Sequence, residues 1–154
     1  MLRLSEFTVR SASYAAGLRM PAHDHPWTNV TAVIRGEILE QTESAEHRGR
    51  SCSAVVKPAR TIHSNRAIGP GAVRTIAIEL HAGSELEKLA KGNCWSWCEG
   101  EETARAALNL QRAMVRRSEP DIESAAQQIL AIVLTPRRPD PAPAWMAELL
   151  ARID

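Results

Sequence analysis

The sequence predicts a mainly β protein with C-terminal helices, because two different periodicities follow one another along its 154 residues. Up to about residue 83, short segments alternate apolar and polar residues, and turn-forming residues recur about every 8–12 positions. This pattern is typical of a β-sandwich or β-barrel. Beyond residue 83, apolar residues recur about every 3.6 positions, which is the period of an α-helix. We therefore expect a barrel first and helices second.

The N-terminal half contains several segments with the period of a strand. They are LRLSEFTV from Leu2 to Val9, NVTAVIRGEILE from Asn29 with a turn at Gly36, CSAVVKP from Cys52, and VRTIAIEL from Val73. Tight turns are predicted at Pro-Ala-Arg after the third segment and at AIGPG before the fourth. Because side chains alternate across a strand, we expect Arg74 on the same face as Ile76.

The C-terminal half predicts one short helix and an antiparallel pair of long helices. Residues 84–92 form the short helix, which ends at Gly92, and the long helices span 101–117 and 121–134. Four prolines fall between residues 135 and 143 and exclude a helix there, after which PAWMAELLARID begins another. We therefore expect a β-barrel over 1–82, a helical dimerisation or packing subdomain over 83–134, and a linker with the start of a helix over 135–154.

Composition narrows the classes of function. The formal net charge of +1 lacks the surplus of Lys and Arg that phosphate binding requires, so we do not expect this chain itself to bind nucleic acid. No apolar run is long enough to span a membrane, and the N-terminus lacks the apolar stretch of a signal peptide. We expect a cytoplasmic protein without a membrane partner.

Two histidines one residue apart are the first candidate site. On a strand, His23 and His25 would point to the same side. A third imidazole has to come from another strand, and His63, which follows a turn, is a better partner than His47 or His81. Three imidazoles with an open position suit zinc, iron, nickel or copper.

The spacing around these histidines resembles the two sequence motifs of the cupin superfamily. The first motif is matched by Gly17, His23, His25, Asn29 and Gly36, and the second by Pro58-Ala59-Arg60-Thr61-Ile62-His63. The resemblance covers roughly residues 12 to 82. It implies a cupin-type double-stranded β-helix, or jelly-roll barrel. It also implies one divalent transition metal (Zn, Ni or Fe) on His23, His25 and His63.

Three positions depart from the cupin pattern. Asn29 stands where the family has a glutamate, Arg60 where it has a glycine, and Ala67 where it has an asparagine. Asparagine is a poor transition-metal ligand, so the site lacks its anionic donor. Two interpretations stay open: a three-histidine metal site, and a metal-free pocket that hydrogen-bonds a small molecule.

The candidate ligand pocket comprises Trp27, Asn29, Thr31 and Arg74. Asn29 and Thr31 are separated from His23 and His25 by even numbers of positions, so on a strand they would point to the same side as these histidines. Trp27 is expected at the barrel mouth, where it would stack on a ligand or cap the core. Arg74 would meet an anion at the pocket mouth, or lie in solvent at the end of a strand.

A second segment with two tryptophans is Cys94-Trp95-Ser96-Trp97-Cys98. A helix would place its two cysteines, four residues apart, on one face. Two cysteines alone are too few for a metal site, so we interpret them as packing residues. We expect the tryptophans to seal the barrel against the helical half.

The order of barrel, helix pair and PAWMAELLARID resembles the sensor half of AraC-type transcription regulators. The resemblance implies a small-molecule effector in the barrel and a homodimer formed by the helix pair. It also implies that DNA is bound only through a domain not present in this chain. Packing of the helices on their own barrel is the other interpretation of their apolar stripe. The alternative functions are a small metal-dependent cupin enzyme, of dioxygenase or isomerase type, and a non-catalytic binding barrel.

Overall fold

The computed structural model describes residues 1–135, which form ten strands and three helices. The strands are β1 (Leu2–Arg3), β2 (Phe7–Tyr14), β3 (Arg19–His23), β4 (Asn29–Arg35), β5 (Glu37–Thr42), β6 (Glu46–Gly49), β7 (Ala54–Lys57), β8 (His63–Ile68), β9 (Val73–Leu80) and β10 (Ser96–Cys98). The helices are α1 (Glu85–Ala90), α2 (Glu101–Arg116) and α3 (Glu119–Leu134). The predicted linker and the PAWMAELLARID helix lie outside the described residues.

The strands form two antiparallel sheets. One has six strands in the order β1-β2-β9-β4-β7-β10, and the other has four in the order β3-β8-β5-β6. Neighbours such as β3 and β8, or β4 and β9, are far apart in the sequence, as the crossing connections of a jelly roll require. The helix pair follows the sheets. The predicted fold class, a mainly β jelly-roll barrel with C-terminal helices, is confirmed.

The six-stranded sheet separates two cores. Apolar residues on its outer face, among them Val30 and Ile78, share one core with Leu110 of α2 and Ile129 of α3. Its inner face contributes Val33 to a smaller core inside the barrel. Because side chains alternate across a strand, every second position of β4, β7 and β9 faces the barrel interior. The helices thus bury the outer face, and the inner positions hold both apolar residues, such as Val33, and polar ones, such as Asn29.

The N-terminal segment does not form the single strand that its alternation predicts. The chain turns between β1 and β2, where the Leu4 amide donates to the Phe7 carbonyl at 2.9 Å. The two strands then pair with each other, with Leu2 opposite Val9. The turn lets Phe7 and Val9 both enter the outer core.

The Cys94–Cys98 segment is a strand and not a helix. Its strand β10 pairs with β7, with Trp97 opposite Val55 and Cys98 opposite Ala54. Alternation then sends Cys98 into the core under the helices, while Trp97 packs against the core inside the barrel. Our expectation that the tryptophans seal the barrel against the helices is therefore wrong, since they belong to the barrel.

The two long helices occupy the predicted segments to within two residues, and their buried stripe packs on the protein's own sheet. Ala106, Leu110 and Ala113 of α2 are buried in the core that includes β4. Leu108 and Val115 lie on a different face of α2 from these buried residues, and they are 38% and 76% exposed. The apolar stripe predicted on this helix thus splits into a buried face and an exposed one. Among the described residues, no helix has the length and apolarity that crossing a membrane requires.

We predict that no side chain, not even the methyl group of alanine, fits at Gly49 of β6 without loss of stability. A Cβ built there would lie 2.0 Å from Cη2 of Trp97, whose ring is also stacked on His47. We expect Gly49→Ala to lower the free energy of unfolding by about 1–3 kcal/mol, as overpacking does, measured by urea denaturation. Gly71→Ala is the control, since nothing lies within 4 Å of its added Cβ. Equal stability of the two variants would contradict this packing.

Candidate metal centre

Three histidines meet at one end of the barrel. His23 ends β3 and lies opposite His63, the first residue of β8, in the antiparallel pairing of these strands. His25 follows two residues after β3. The ring centroids of His23 and His63 are 4.3 Å apart, and His25 lies 5.1 and 5.2 Å from them. One ligand nitrogen from each residue lies within 4.8 Å of the other two. The predicted triad is thus assembled.

Backbone carbonyls fix the proton positions of two of these rings. Nδ1 of His23 donates to the carbonyl of Pro21 at 2.8 Å, and Nδ1 of His63 donates to the carbonyl of Thr61 at 3.0 Å. Because a carbonyl only accepts, the neutral ring carries its proton on Nδ1 and leaves the lone pair on Nε2. This is the second interaction that metal-binding histidines commonly make.

His63 is the most buried member of the cluster. Its side chain is 2% exposed, and Nε2 is buried without a hydrogen-bond partner in the described part of the chain. Burial, with smaller effects of Lys57, His23 and His25, lowers the pKa of His63 to about 4. Burial is also the first cause of the lowered pKa of His25, followed by the charges of His23 and Lys57. At neutral pH these two rings are therefore neutral, which is the form that binds metal.

The donor set fits one divalent transition metal. Imidazole nitrogen is a ligand for zinc, nickel and iron, and three imidazoles leave further coordination positions for water or a ligand. His23, His25 and His63 would hold the ion, and the orphaned Nε2 of His63 would gain a partner. A metal bound there would act as a Lewis acid toward an oxygen ligand.

Two of the predicted pocket residues lie on the inner face of β4. Asn29 and Thr31 are both buried, and the Thr31 hydroxyl donates to Oδ1 of Asn29 at 2.8 Å. The amide oxygen that replaces the carboxylate of the cupin motif is therefore already engaged. Asn29 also lies opposite Lys57 of β7 in the strand register, which introduces a charge that the sequence motif does not contain.

The structure does not bring Arg74 to the histidines. Arg74 is opposite Arg35, at the far end of β4 from Asn29. Six residues of strand separate these ends by about 20 Å. Arg74 is also exposed, and its parity along β9 is that of Ile76, which packs toward the helices. The interpretation of Arg74 as a pocket-mouth residue is wrong, because the face it shares with Ile76 is the outer one, and the other interpretation, a solvent-exposed arginine near the strand end, agrees with the structure.

Trp27 lies beside the cluster but not against it. It is 36% exposed and lines a groove of about 480 Å³ with Arg10 and Glu79, and none of the three histidines lines this groove. The guanidinium of Arg10 is close enough to contribute to the lowered pKa of His25. Trp27 therefore lies in the loop that joins His25 to β4 and faces this groove.

The tryptophan that touches the histidines is Trp95, which sequence reasoning assigned elsewhere. Its ring centroid is 4.8 Å from that of His63 and 5.4 Å from Nζ of Lys57. Trp95 thus forms a wall over the buried histidine and a cation–π contact with the lysine.

Polar residues inside the barrel were also missed. Lys57 forms an ion pair with Glu40 of β5, and the two side chains are 6% and 1% exposed. Asn65 of β8 is buried directly opposite Glu40 in the register. The alternation of side chains along a strand predicts that these three residues point into the barrel. Each is two positions from a residue with an inward side chain: Glu40 from Ile38, Lys57 from Val55, and Asn65 from His63.

Comparison with known proteins yields structural neighbours only. No protein-family model and no curated protein matches the chain. KdgF from Halomonas sp. is 17% identical, with a TM-score of 0.47 over 53% of this chain and 76% of that one. The cupin domain of Cnp3 from Schizosaccharomyces pombe is 17% identical, with a TM-score of 0.49 over 60% and 65%.

An RmlC-like cupin with a double-stranded β-helix fold, from Methanocaldococcus jannaschii, is 15% identical. Its TM-score is 0.47 over 51% of this chain and 73% of that one. At these identities the likeness concerns the fold alone. The assignment of a jelly roll rests on the strand order of the two sheets.

The buried His63 predicts an acid-sensitive fold in the metal-free protein. Because its folded pKa, about 4, lies below the unfolded value of 6.5, the unfolded chain binds more protons between these pH values. The free energy of unfolding therefore falls as pH falls from 6.5 to 4, by at most about 1.4 kcal/mol per pH unit from this group. Denaturation of chelator-treated protein at several pH values measures the slope. His63→Gln should flatten it, and an unchanged slope would contradict the burial of a neutral imidazole.

Proposed function

We propose that this chain is a metal-dependent sensor domain that binds a small-molecule effector. His23, His25 and His63 hold one divalent transition metal, and the effector occupies its open position. The observation that carries the proposal is the convergence of three imidazoles, two of them held by carbonyls with Nε2 free. Lys57, Asn65 and Trp95 add a polar wall beside the metal site.

The proposed biological context is an AraC-type transcription regulator. Supporting it are the sequence resemblance and the position of α2 and α3, which cover the outer face of the six-stranded sheet. Leu108 and Val115 are seven residues apart on the exposed side of α2 and offer an apolar face to a second copy of the chain. DNA would be bound only through a domain outside these residues, since the net charge of +1 gives no basic surface.

We rank a metal-dependent enzyme second. A dioxygenase or isomerase would need a group that moves protons at the metal's open side. Glu40 is the carboxylate that lies inside the barrel near the cluster, and its Oε1 is paired with Lys57. Asn29, at the motif position of the usual carboxylate, is neutral. These residues favour binding over catalysis.

The first prediction concerns metal content. Protein purified without chelator should contain one transition metal ion per chain, measured by inductively coupled plasma mass spectrometry. His23→Ala and His63→Gln should each reduce metal affinity at least about 100-fold, because two imidazoles and water replace three imidazoles. His47→Ala is the matched control, since His47 stacks on Trp97 outside the cluster. Stoichiometric metal in both cluster variants would refute the centre.

The second prediction concerns the dimer. The wild-type chain should be dimeric by light scattering after size-exclusion chromatography. Leu108→Glu with Val115→Glu should make it monomeric, because two charges would be buried in the interface. Leu89→Glu on α1, whose side chain is 70% exposed, is the control. A monomeric wild-type chain, or a dimer that survives the double substitution, would contradict the use of α2.

A further inference from the structure

The barrel contains two buried acceptor atoms that the metal centre does not use. We infer that Glu40 and Asn65 accept hydrogen bonds from hydroxyl groups of the bound effector, which is a small hydroxy acid. The inference deepens the proposed function and rests on it for one end of the ligand, the carboxylate at the metal. Its other end, the hydroxyl, is argued from the acceptor atoms alone.

The two acceptors lie next to each other. Glu40 and Asn65 are directly opposite in the pairing of β5 with β8, on the face that points into the barrel. Oε2 of Glu40 and Oδ1 of Asn65 are both buried without a hydrogen-bond partner among the described residues. A buried acceptor without a donor costs free energy. Neither atom is a member of the histidine ligand set, so a metal ion does not explain them.

The charge state of Glu40 and Asn65 determines which chemical group can form hydrogen bonds with them. Lys57 binds Oε1 of Glu40 in a buried ion pair and leaves Oε2 free. An ionised carboxylate oxygen and an amide oxygen only accept hydrogen bonds. Their partner is therefore a donor, and a hydroxyl group satisfies an acceptor without adding a further charge to the interior. A second carboxylate in this position would be repelled.

The charge of the metal centre specifies the other end of the ligand. An imidazole contributes no charge when it binds a metal, and the charge of Glu40 is balanced by Lys57. A bound divalent ion would therefore leave a net positive charge that favours an anionic ligand. A molecule with a carboxylate for the metal and one hydroxyl for each of the two acceptors meets both requirements.

A pocket lies on the other side of Trp95 from the buried polar residues. Trp95, which contacts His63 and Lys57, also lines a pocket of about 350 Å³ together with Thr61 and Arg60. Its ring thus lies between this pocket and the buried polar residues.

Tartrate and succinate test the inference, because they share a four-carbon skeleton and two carboxylates and differ by two hydroxyls. We expect zinc-loaded wild-type protein to bind tartrate at least about tenfold more tightly than succinate in calorimetric titrations, since a hydrogen bond to a charged acceptor is worth such a factor. Asn65→Ala, and Glu40→Gln combined with Lys57→Met, should reduce this ratio to about two or less. The combined variant removes both charges, so neither remains buried alone.

The matched control is Glu37→Gln, on the outer face of the same strand, where Glu37 pairs with Arg48. It should keep the tartrate preference. Equal affinities of wild-type protein for both acids, or a preference that survives in both interior variants, would overturn the inference. Zinc content is measured in every sample. Full zinc without a tartrate preference refutes only the hydroxyl site, whereas absent zinc refutes the proposed metal centre. A tartrate preference in zinc-free protein would still support the acceptor pair.

Discussion

The antiparallel pairing of β3 with β8 is the constraint on which the site depends. It sets His23 opposite His63, the last residue of one strand against the first of the other. The chain leaving β3 then brings in His25, and the carbonyls of Pro21, within β3, and of Thr61, just before β8, hold Nδ1 of His23 and His63. A shift of one residue in this pairing would turn one imidazole out of the barrel. Strand register therefore positions His23 and His63, and the loop that leaves β3 positions His25.

A polar interior of this kind is tolerated because the protein has its main apolar core elsewhere. The helices bury the outer face of the six-stranded sheet, and the core that they share with it contains most of the buried apolar side chains. The barrel interior contains a smaller apolar cluster at one end and the histidines, Lys57, Glu40 and Asn65 toward the other. Burying charged groups costs free energy even when they are paired. Retaining them in the barrel is consistent with a binding role.

Much of the fold and the three histidines followed from the sequence, for identifiable physical reasons. Period two and period 3.6 are local signals, so β4, β9, α2 and α3 were predictable. What failed depends on tertiary pairing. The direction in which Arg74 points was settled by which face of β9 the helices cover, and the placement of Trp95 by the pairing of β10 with β7. Glu40 and Lys57 meet across two sheets, and no local pattern indicates such a partner.

The most direct test of the central claim is an X-ray absorption spectrum at the edge of the metal that the purified protein retains. The account predicts a first shell with three imidazole nitrogens at about 2.0–2.1 Å for zinc, completed by oxygen from water or a ligand. His63→Gln should remove one imidazole from this shell. A shell containing sulfur at about 2.3 Å, or one whose imidazole count does not change in His63→Gln, would contradict a centre built on His23, His25 and His63.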